Sequence, residues 1–211
     1  MRVMFEDREE AGDRLADVVA EVGPERPLIL GLPRGGVPVA DRVARKLGAP
    51  MDVMVVRKIP VPGSPETAIG ATTAEGPPLF DQRTLRMLGV STEDLATAVE
   101  TAQAEARRRV EVYRGKEPAP EVGGRDVVVV DDGLATGMSA KAVLSALREQ
   151  APAALMLAVP VGAPEAVSAL AEVCDRVICP RTPVDFRAVS LWYRKFPQVS
   201  DDEVRQLLRS A

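Results

Sequence analysis

The chain has 211 residues, 46% of them hydrophobic, and a formal net charge of −4. That is enough length and apolar content for one α/β domain with a good core, and the acidic balance argues against broad, sequence-independent nucleic-acid binding. Histidine is absent, which excludes Ser-His-Asp and Cys-His catalysis and every His-containing metal site.

In chain order, residues 6–22 place Ala11, Leu15, Val18, Val19 and Val22 on one face and predict a helix ended by Gly23 and Pro24. Residues 28–30 predict a short strand, 31–36 a loop, 37–47 a helix and 51–56 a second buried strand. Residues 57–76 hold many Pro and Gly with little periodicity and read mostly as a long loop. Long loops inside compact domains are usually functional lids or disordered. Residues 80–88 and 91–113 predict helices, with Ser91 as a cap and Asp94 three residues on. A turn region at 116–125 leads to a strand at 127–130 and a helix at 140–150. Then come a strand at 154–159, a helix at 164–173 and a strand at 176–179. An aromatic-bearing segment at 180–200 precedes a terminal helix at 201–210, capped at Ser200 or Asp201. Strands that alternate with helices call for an α/β fold, a three-layer parallel sheet with helices on both faces. The expectation is a single domain over 1–211, with a helical insertion at about 77–114 and a small C-terminal hood at about 180–200.

The densest signal is residues 127–139, Val127-Val-Val-Val-Asp131-Asp132-Gly133-Leu-Ala135-Thr136-Gly137-Met138-Ser139. Four β-branched residues in a row read as a buried parallel strand. Two carboxylates end it, and a Gly/Thr/Ser turn leads into the helix. In an open α/β sheet, ligands bind where strand ends meet helix starts. The carboxylates repel phosphate and suit sugar hydroxyls or Mg²⁺. The loop suits phosphate, because a helix start offers unpaired N–H groups and a positive dipole end. Gly133 and Gly137 allow close backbone approach, and Thr136 and Ser139 add hydroxyl donors. Together these residues describe a sugar-phosphate site. A Walker A loop and a Gly-x-Gly-x-x-Gly fingerprint are both absent, and the further Asp and Lys of a receiver domain have no clear place.

This segment resembles the PRPP-binding motif of type I phosphoribosyltransferases. The resemblance implies a type I core and an activity that joins the ribose 5-phosphate of PRPP to a small nitrogenous base, releasing pyrophosphate, with Mg²⁺ as cofactor and a place in nucleotide metabolism. Asp131 and Asp132 would act on the ribose hydroxyls, directly or as Mg²⁺ ligands, and Gly133 with Ala135, Thr136, Gly137, Met138 and Ser139 would bind the 5′-phosphate. Residues 28–36 resemble the family's pyrophosphate loop: Gly35 and Gly36 would present N–H groups and Arg34 a bidentate charge. The family often carries a cis peptide here, which would be Pro33–Arg34. Residues 57–76 are the lid candidate, with Arg57 and Lys58 as catalytic cations and Glu66 its mid-loop carboxylate.

Four of the chain's seven aromatic residues fall in 181–196, which loosely resembles the base-recognition hood of purine phosphoribosyltransferases. Phe186 is the stacking candidate, and Trp192 and Tyr193 are expected to pack a satellite core. The 6-oxopurine enzymes place a third Asp where this chain has Ala135, so the loop looks closer to the adenine and uracil branches. That departure motivates an alternative, a non-catalytic PRPP- or nucleotide-binding regulatory protein; a phosphate-binding hydrolase is a third reading.

No run approaches the ~20 apolar residues of a membrane helix, and the charged residues 1–12 lack an apolar signal core. A cytoplasmic protein without a membrane partner is expected. Cys174 and Cys179 should be reduced and in or near the core. Arg107, Arg108 and Arg109 lie near Glu100, Glu105 and Glu111 and read as a salt-bridged helix face. A homo-oligomer is left open, with the inserted helices as a contact surface.

Overall fold

The computed structural model describes residues 3–61, 63–74, 76–115 and 117–210, with backbone only for 65–67. Five strands form a parallel sheet: β1 (Pro27–Gly31), β2 (Met51–Val53), β6 (Asp126–Val130), β7 (Ala154–Ala158) and β8 (Arg176–Ile178). Their spatial order is β2-β1-β6-β7-β8. The order reverses direction between β1 and β6, which makes the crevice beyond their carboxyl ends the expected ligand position. β1 and β6 pair in register from Pro27 opposite Asp126 to Gly31 opposite Val130.

The apolar run of β6 serves both faces of this sheet, because successive side chains point to opposite sides. Val127 and Val129 pack with Leu28, Leu30, Leu155 and Leu157 under α5 (Met138–Arg148) and α6 (Pro164–Leu170). Val128 and Val130 pack with Ile29 and Met156 under α1 (Arg8–Val22) and α2 (Gly36–Leu47). The three-layer expectation is met. Asp7 caps α1 through the Glu10 N–H, and Gly23, at φ 70°, closes it in the left-handed conformation that glycine adopts without steric cost.

Residues 57–76 correct the expectation of a long loop. β3 (Val56–Val61) and β4 (Ser64–Thr73) pair antiparallel, and β5 (Leu79–Phe80) adds a third strand. The Pro and Gly content disguised this sheet. Pro60 sits where the β3–β4 register shifts, a place that tolerates a residue without an N–H. Gly70 is required by close approach, since a Cβ there would stand 2.4 Å from the Leu79 carbonyl oxygen. Ile59 and Ile69 are fully buried with Leu85, Leu95 and Ala102, from α3 (Gln82–Leu88), the following 3₁₀ turn and α4 (Ala96–Arg114). The insertion therefore contains β5 as well as helices. The side chain of Glu66 lies outside the described residues.

The segment 180–200 carries a short 3₁₀ turn at Val189–Trp192 before α7 (Asp201–Arg209). Ser200 and Glu203 cap α7 reciprocally. Trp192 and Tyr193 are buried with Phe5 and Val161, the satellite core expected of them.

Candidate active site

The paired ends of β1 and β6 bring two loops side by side. Gly31, the last residue of β1, precedes the 32–35 turn into α2, and Val130, the last of β6, precedes the acid pair and the turn into α5. The Leu32 N–H donates to the Val130 carbonyl at 2.9 Å and locks the first loop to the second strand. The Pro33–Arg34 peptide is cis. A Cβ on Gly36 would lie 2.6 Å from the Val130 carbonyl oxygen and 2.8 Å from Asp131 Cα. One on Gly35 would lie 2.1 Å from Asp132 Oδ2. The two glycines are thus what lets the first loop lie against the acid pair.

Both loops end at helix starts that lack a side-chain cap: Gly35 precedes α2, and Gly137, at φ 76°, precedes α5. At α2 the Gly36 and Val37 N–H groups already donate to the Leu32 and Arg34 carbonyls, at 2.9 and 3.2 Å, but the positive end of each helix dipole still favours an anion. Ala135 and Thr136 are exposed, and Gly137, Met138 and Ser139 are half-buried at the rim. Leu134 pins the loop from below, donating to Val161 at 2.9 Å and accepting from Ala163 at 2.8 Å. Gly133 is packed against Val189 of the hood, where a Cβ would meet Cγ1 at 2.5 Å.

The acid pair sits at the floor of this arrangement. The Asp131 carboxylate accepts the Asp132 N–H at 2.8 Å. Burial, and then the neighbouring Asp132 charge, push the Asp131 carboxyl well above the usual carboxylate range. Burial also raises Asp132, against the pull of Arg8. Arg8 Nε donates to Asp132 Oδ2 at 2.8 Å. Tyr193 donates its hydroxyl to the Asp132 carbonyl at 2.5 Å. Burial raises that phenol, so it stays a neutral donor.

A family model described as the phosphoribosyl transferase domain matches residues 6–192. The chain belongs to that family. Two curated Mycobacterium tuberculosis relatives, named "Putative phosphoribosyl transferase", are 41% identical over 209 residues, 99% of this chain. The chain spans 47% of their length, about half. The solved structure of TT1426 from Thermus thermophilus is 42% identical, with a TM-score of 0.85 over 98% of each chain. A Neisseria gonorrhoeae protein solved with bound ppGpp shares the fold at 14% identity and TM-score 0.53, covering 98% of this chain and 94% of its own. The likeness to the Neisseria gonorrhoeae protein is one of fold alone.

Within this phosphoribosyltransferase domain, the structure gathers most of the expected site residues at one place: Asp131, Asp132, Gly133, residues 135–139, Gly35 and Gly36. Four others stand apart or are engaged. Arg34 Nη1 lies 3.8 Å from Asp201 at the start of α7. Arg57, on β3, pairs with Glu105 of α4 at 3.4 Å. Arg57 and Lys58 line a groove with Thr97, Thr101 and Glu105 that includes none of residues 34–36 or 131–139. Phe186 is half-buried and stacks on Trp192, centroids 6.4 Å apart at 15°. Two residues of the Arg107–Arg109 run form the expected salt-bridged face, with Glu105 taking Arg108 at 2.7 Å and Arg109 at 3.5 Å, while Arg107 donates to the Ala74 carbonyl at 3.2 Å. Both cysteines are free thiols; Cys174 is buried, and burial raises Cys179 to about 11. No described helix is long and apolar enough to cross a membrane.

Arg8 was missed by sequence reading. Its signal was present, because Arg8 continues the buried stripe Ala11, Gly12, Leu15, Ala16 and Val19 of α1 toward the N-terminus. A charge on an apolar stripe demands a buried partner.

Proposed function

We propose that this domain binds PRPP with Mg²⁺ and transfers its ribose 5-phosphate to a small nitrogenous base, releasing pyrophosphate. The observation that carries the reading is the juxtaposition at the β1/β6 switch point of two uncapped helix starts with the acid pair between them. Two anion sites flanking a hydroxyl-binding pair match a sugar that bears a 5-phosphate and a pyrophosphate. The 135–139 loop binds the 5-phosphate, and Arg34, Gly35 and Gly36 bind pyrophosphate. Asp131 and Asp132 hold the ribose hydroxyls between them.

The donor set fits Mg²⁺. Two carboxylates supply hard oxygen ligands, and Mg²⁺ commonly takes one or two carboxylates, several waters and substrate phosphates. Bound there, it would neutralise the leaving group. The protein's own contribution is alignment of the base, the anomeric carbon and the leaving group through an oxocarbenium-like state, together with exclusion of water. Ala135 offers no proton-transfer group, so the acceptor base would react without help from that position. Phe186 would present the base, and Arg57 with Lys58 would reach pyrophosphate only if the β3–β4 hairpin moved together with the α3 and α4 residues that share its core.

Calorimetric titration of PRPP, with Mg²⁺ and with EDTA, tests the assignment. Mg-dependent binding that vanishes in the Asp131→Asn/Asp132→Asn variant is expected; unchanged affinity in that variant refutes it. The non-catalytic binding reading draws on one observation: Arg34 and Arg57, two cations assigned to pyrophosphate, both face carboxylates. PRPP binding with no pyrophosphate release across a broad base panel would select that alternative.

A further inference from the structure

We propose that Arg8 is a positioning residue of the sugar-phosphate site, fixing the Asp132 carboxylate and tying residues 193–197 to it. The inference rests on the acid pair being the ribose site.

Arg8 is 8% exposed, and its guanidinium is shared among three groups. Nε donates to Asp132 Oδ2 at 2.8 Å, Nη1 donates to the Pro197 carbonyl at 2.7 Å, and Cζ stands 3.7 Å over the centre of the Phe196 ring. A planar fork holds such partners at fixed mutual angles, which an ammonium group does not. The partners come from segments far apart in sequence, the loop after β6 and the chain before α7. Arg8 itself stands on the first turn of α1.

Asp132 is held from a second direction by the same hood segment. The Tyr193 hydroxyl reaches its carbonyl oxygen at 2.5 Å, and the Tyr193 ring packs on Phe196 with centroids 5.0 Å apart. The Arg194 and Lys195 N–H groups donate to the Phe5 and Glu6 carbonyls, each at 2.8 Å, just before α1. Side chain and main chain of one acidic residue are therefore fixed by a closed ring of contacts through α1 and the hood. Arg8 engages Oδ2 and leaves Oδ1 on the other side of the carboxylate. One oxygen stays oriented for a sugar hydroxyl or a metal-bound water. A carboxylate already aimed loses less freedom on binding than one that must be ordered by the ligand.

The test titrates ribose 5-phosphate, and PRPP with Mg²⁺, into five proteins: wild type, Arg8→Met, Arg8→Lys, Asp132→Asn and the Arg8→Met/Asp132→Asn double variant. Hydrogen exchange of the 193–196 amides is followed in the same samples. Arg8→Met should weaken binding at least tenfold, Arg8→Lys should recover only a small part of that loss because an ammonium can keep one partner and not all three, and the double variant should bind no worse than Asp132→Asn. A generally loosened fold would lower melting temperature without that non-additivity. Affinity within twofold of wild type in Arg8→Met, or losses that multiply in the double variant, would overturn the proposal. If wild type binds neither ligand, the ribose-site reading fails by itself, and exchange decides the inference. Faster exchange at 193–196 in Arg8→Met, less so in Arg8→Lys, sustains the tie; unchanged exchange ends it. Arg8→Gln carries the same expectation should Arg8→Met not fold.

Discussion

The two sheets of this molecule bury their apolar residues differently, and the difference separates scaffold from appendage. The parallel sheet is covered on both faces, so its central strands are continuous apolar runs and their ends are rigidly placed. The antiparallel sheet has a small core built around Ile59 and Ile69 and rests on α4 and α5. Residues at the ends of β1 and β6 meet one another across paired strands. The cations of β3 meet the carboxylate of Glu105 instead. Rigid strand ends bring distant residues together, whereas the small hairpin shares its core with α3 and α4 and faces its cations toward them.

Perturbing each sheet sharpens that contrast. Ile69→Ala removes a fully buried side chain from the small core and should cost about 2–5 kcal/mol, read by denaturant unfolding. Because the small sheet is the appendage, PRPP affinity should suffer less from this change than from one at the β1/β6 edge; the reverse ranking would break the comparison. Gly36→Ala is the edge counterpart. Its Cβ would press on the Val130 carbonyl and Asp131 Cα, at 2.6 and 2.8 Å, and backbone atoms cannot step aside. The expected cost is about 1–3 kcal/mol of overpacking, with PRPP binding lost in calorimetry.

Asp131→Asn sets stability against function at the same edge. The folded-state carboxyl is raised above its ordinary value of 3.8, first by burial and then by Asp132. The stability from its protonated form is complete below pH 3.8 and lost as pH rises through the folded value. The asparagine variant escapes that loss. It should melt higher than wild type at neutral pH, with the gain fading below pH 3.8 in a melting series.

Ser200→Ala removes the side-chain half of the α7 capping box and should cost about 1 kcal/mol by thermal unfolding. Glu105→Gln should have the smallest effect. The Arg108 hydrogen bond, and then the charges of Arg108 and Arg57, hold Glu105 at about 2. Its contribution is present above pH 4.5 and fades as pH falls toward about 2, so wild type and variant should converge there. Exposed ion pairs contribute little, and a large loss at pH 7 would mean that Glu105 anchors the hairpin.

Much of the parallel-sheet core was legible because its signals are local. β6, its acid pair and α5 follow one another without interruption, and the four consecutive valines of β6 can be served only by burial on both faces. The hairpin was illegible for an equally local reason. Pro60 and Gly70 break the alternation that marks a strand, and each is justified only by a neighbour, a register shift for Pro60 and the close approach of β5 for Gly70. The counter-ions of Arg34 and Arg57, Asp201 and Glu105, come from α7 and α4, elements whose approach no spacing records.

By itself, the order of residues determined the alternation of strands and helices, the acid pair at a strand end and the Gly/Thr turn into the helix that follows. These follow from side-chain periodicity and backbone sterics within a dozen residues. Only the tertiary structure decided that β1 lies beside β6, that Gly35 and Gly36 rest on Asp132 and Asp131, and that Arg8 closes on Asp132. Those contacts depend on which distant segments the whole core brings within a few ångströms, and no local pattern carries that information.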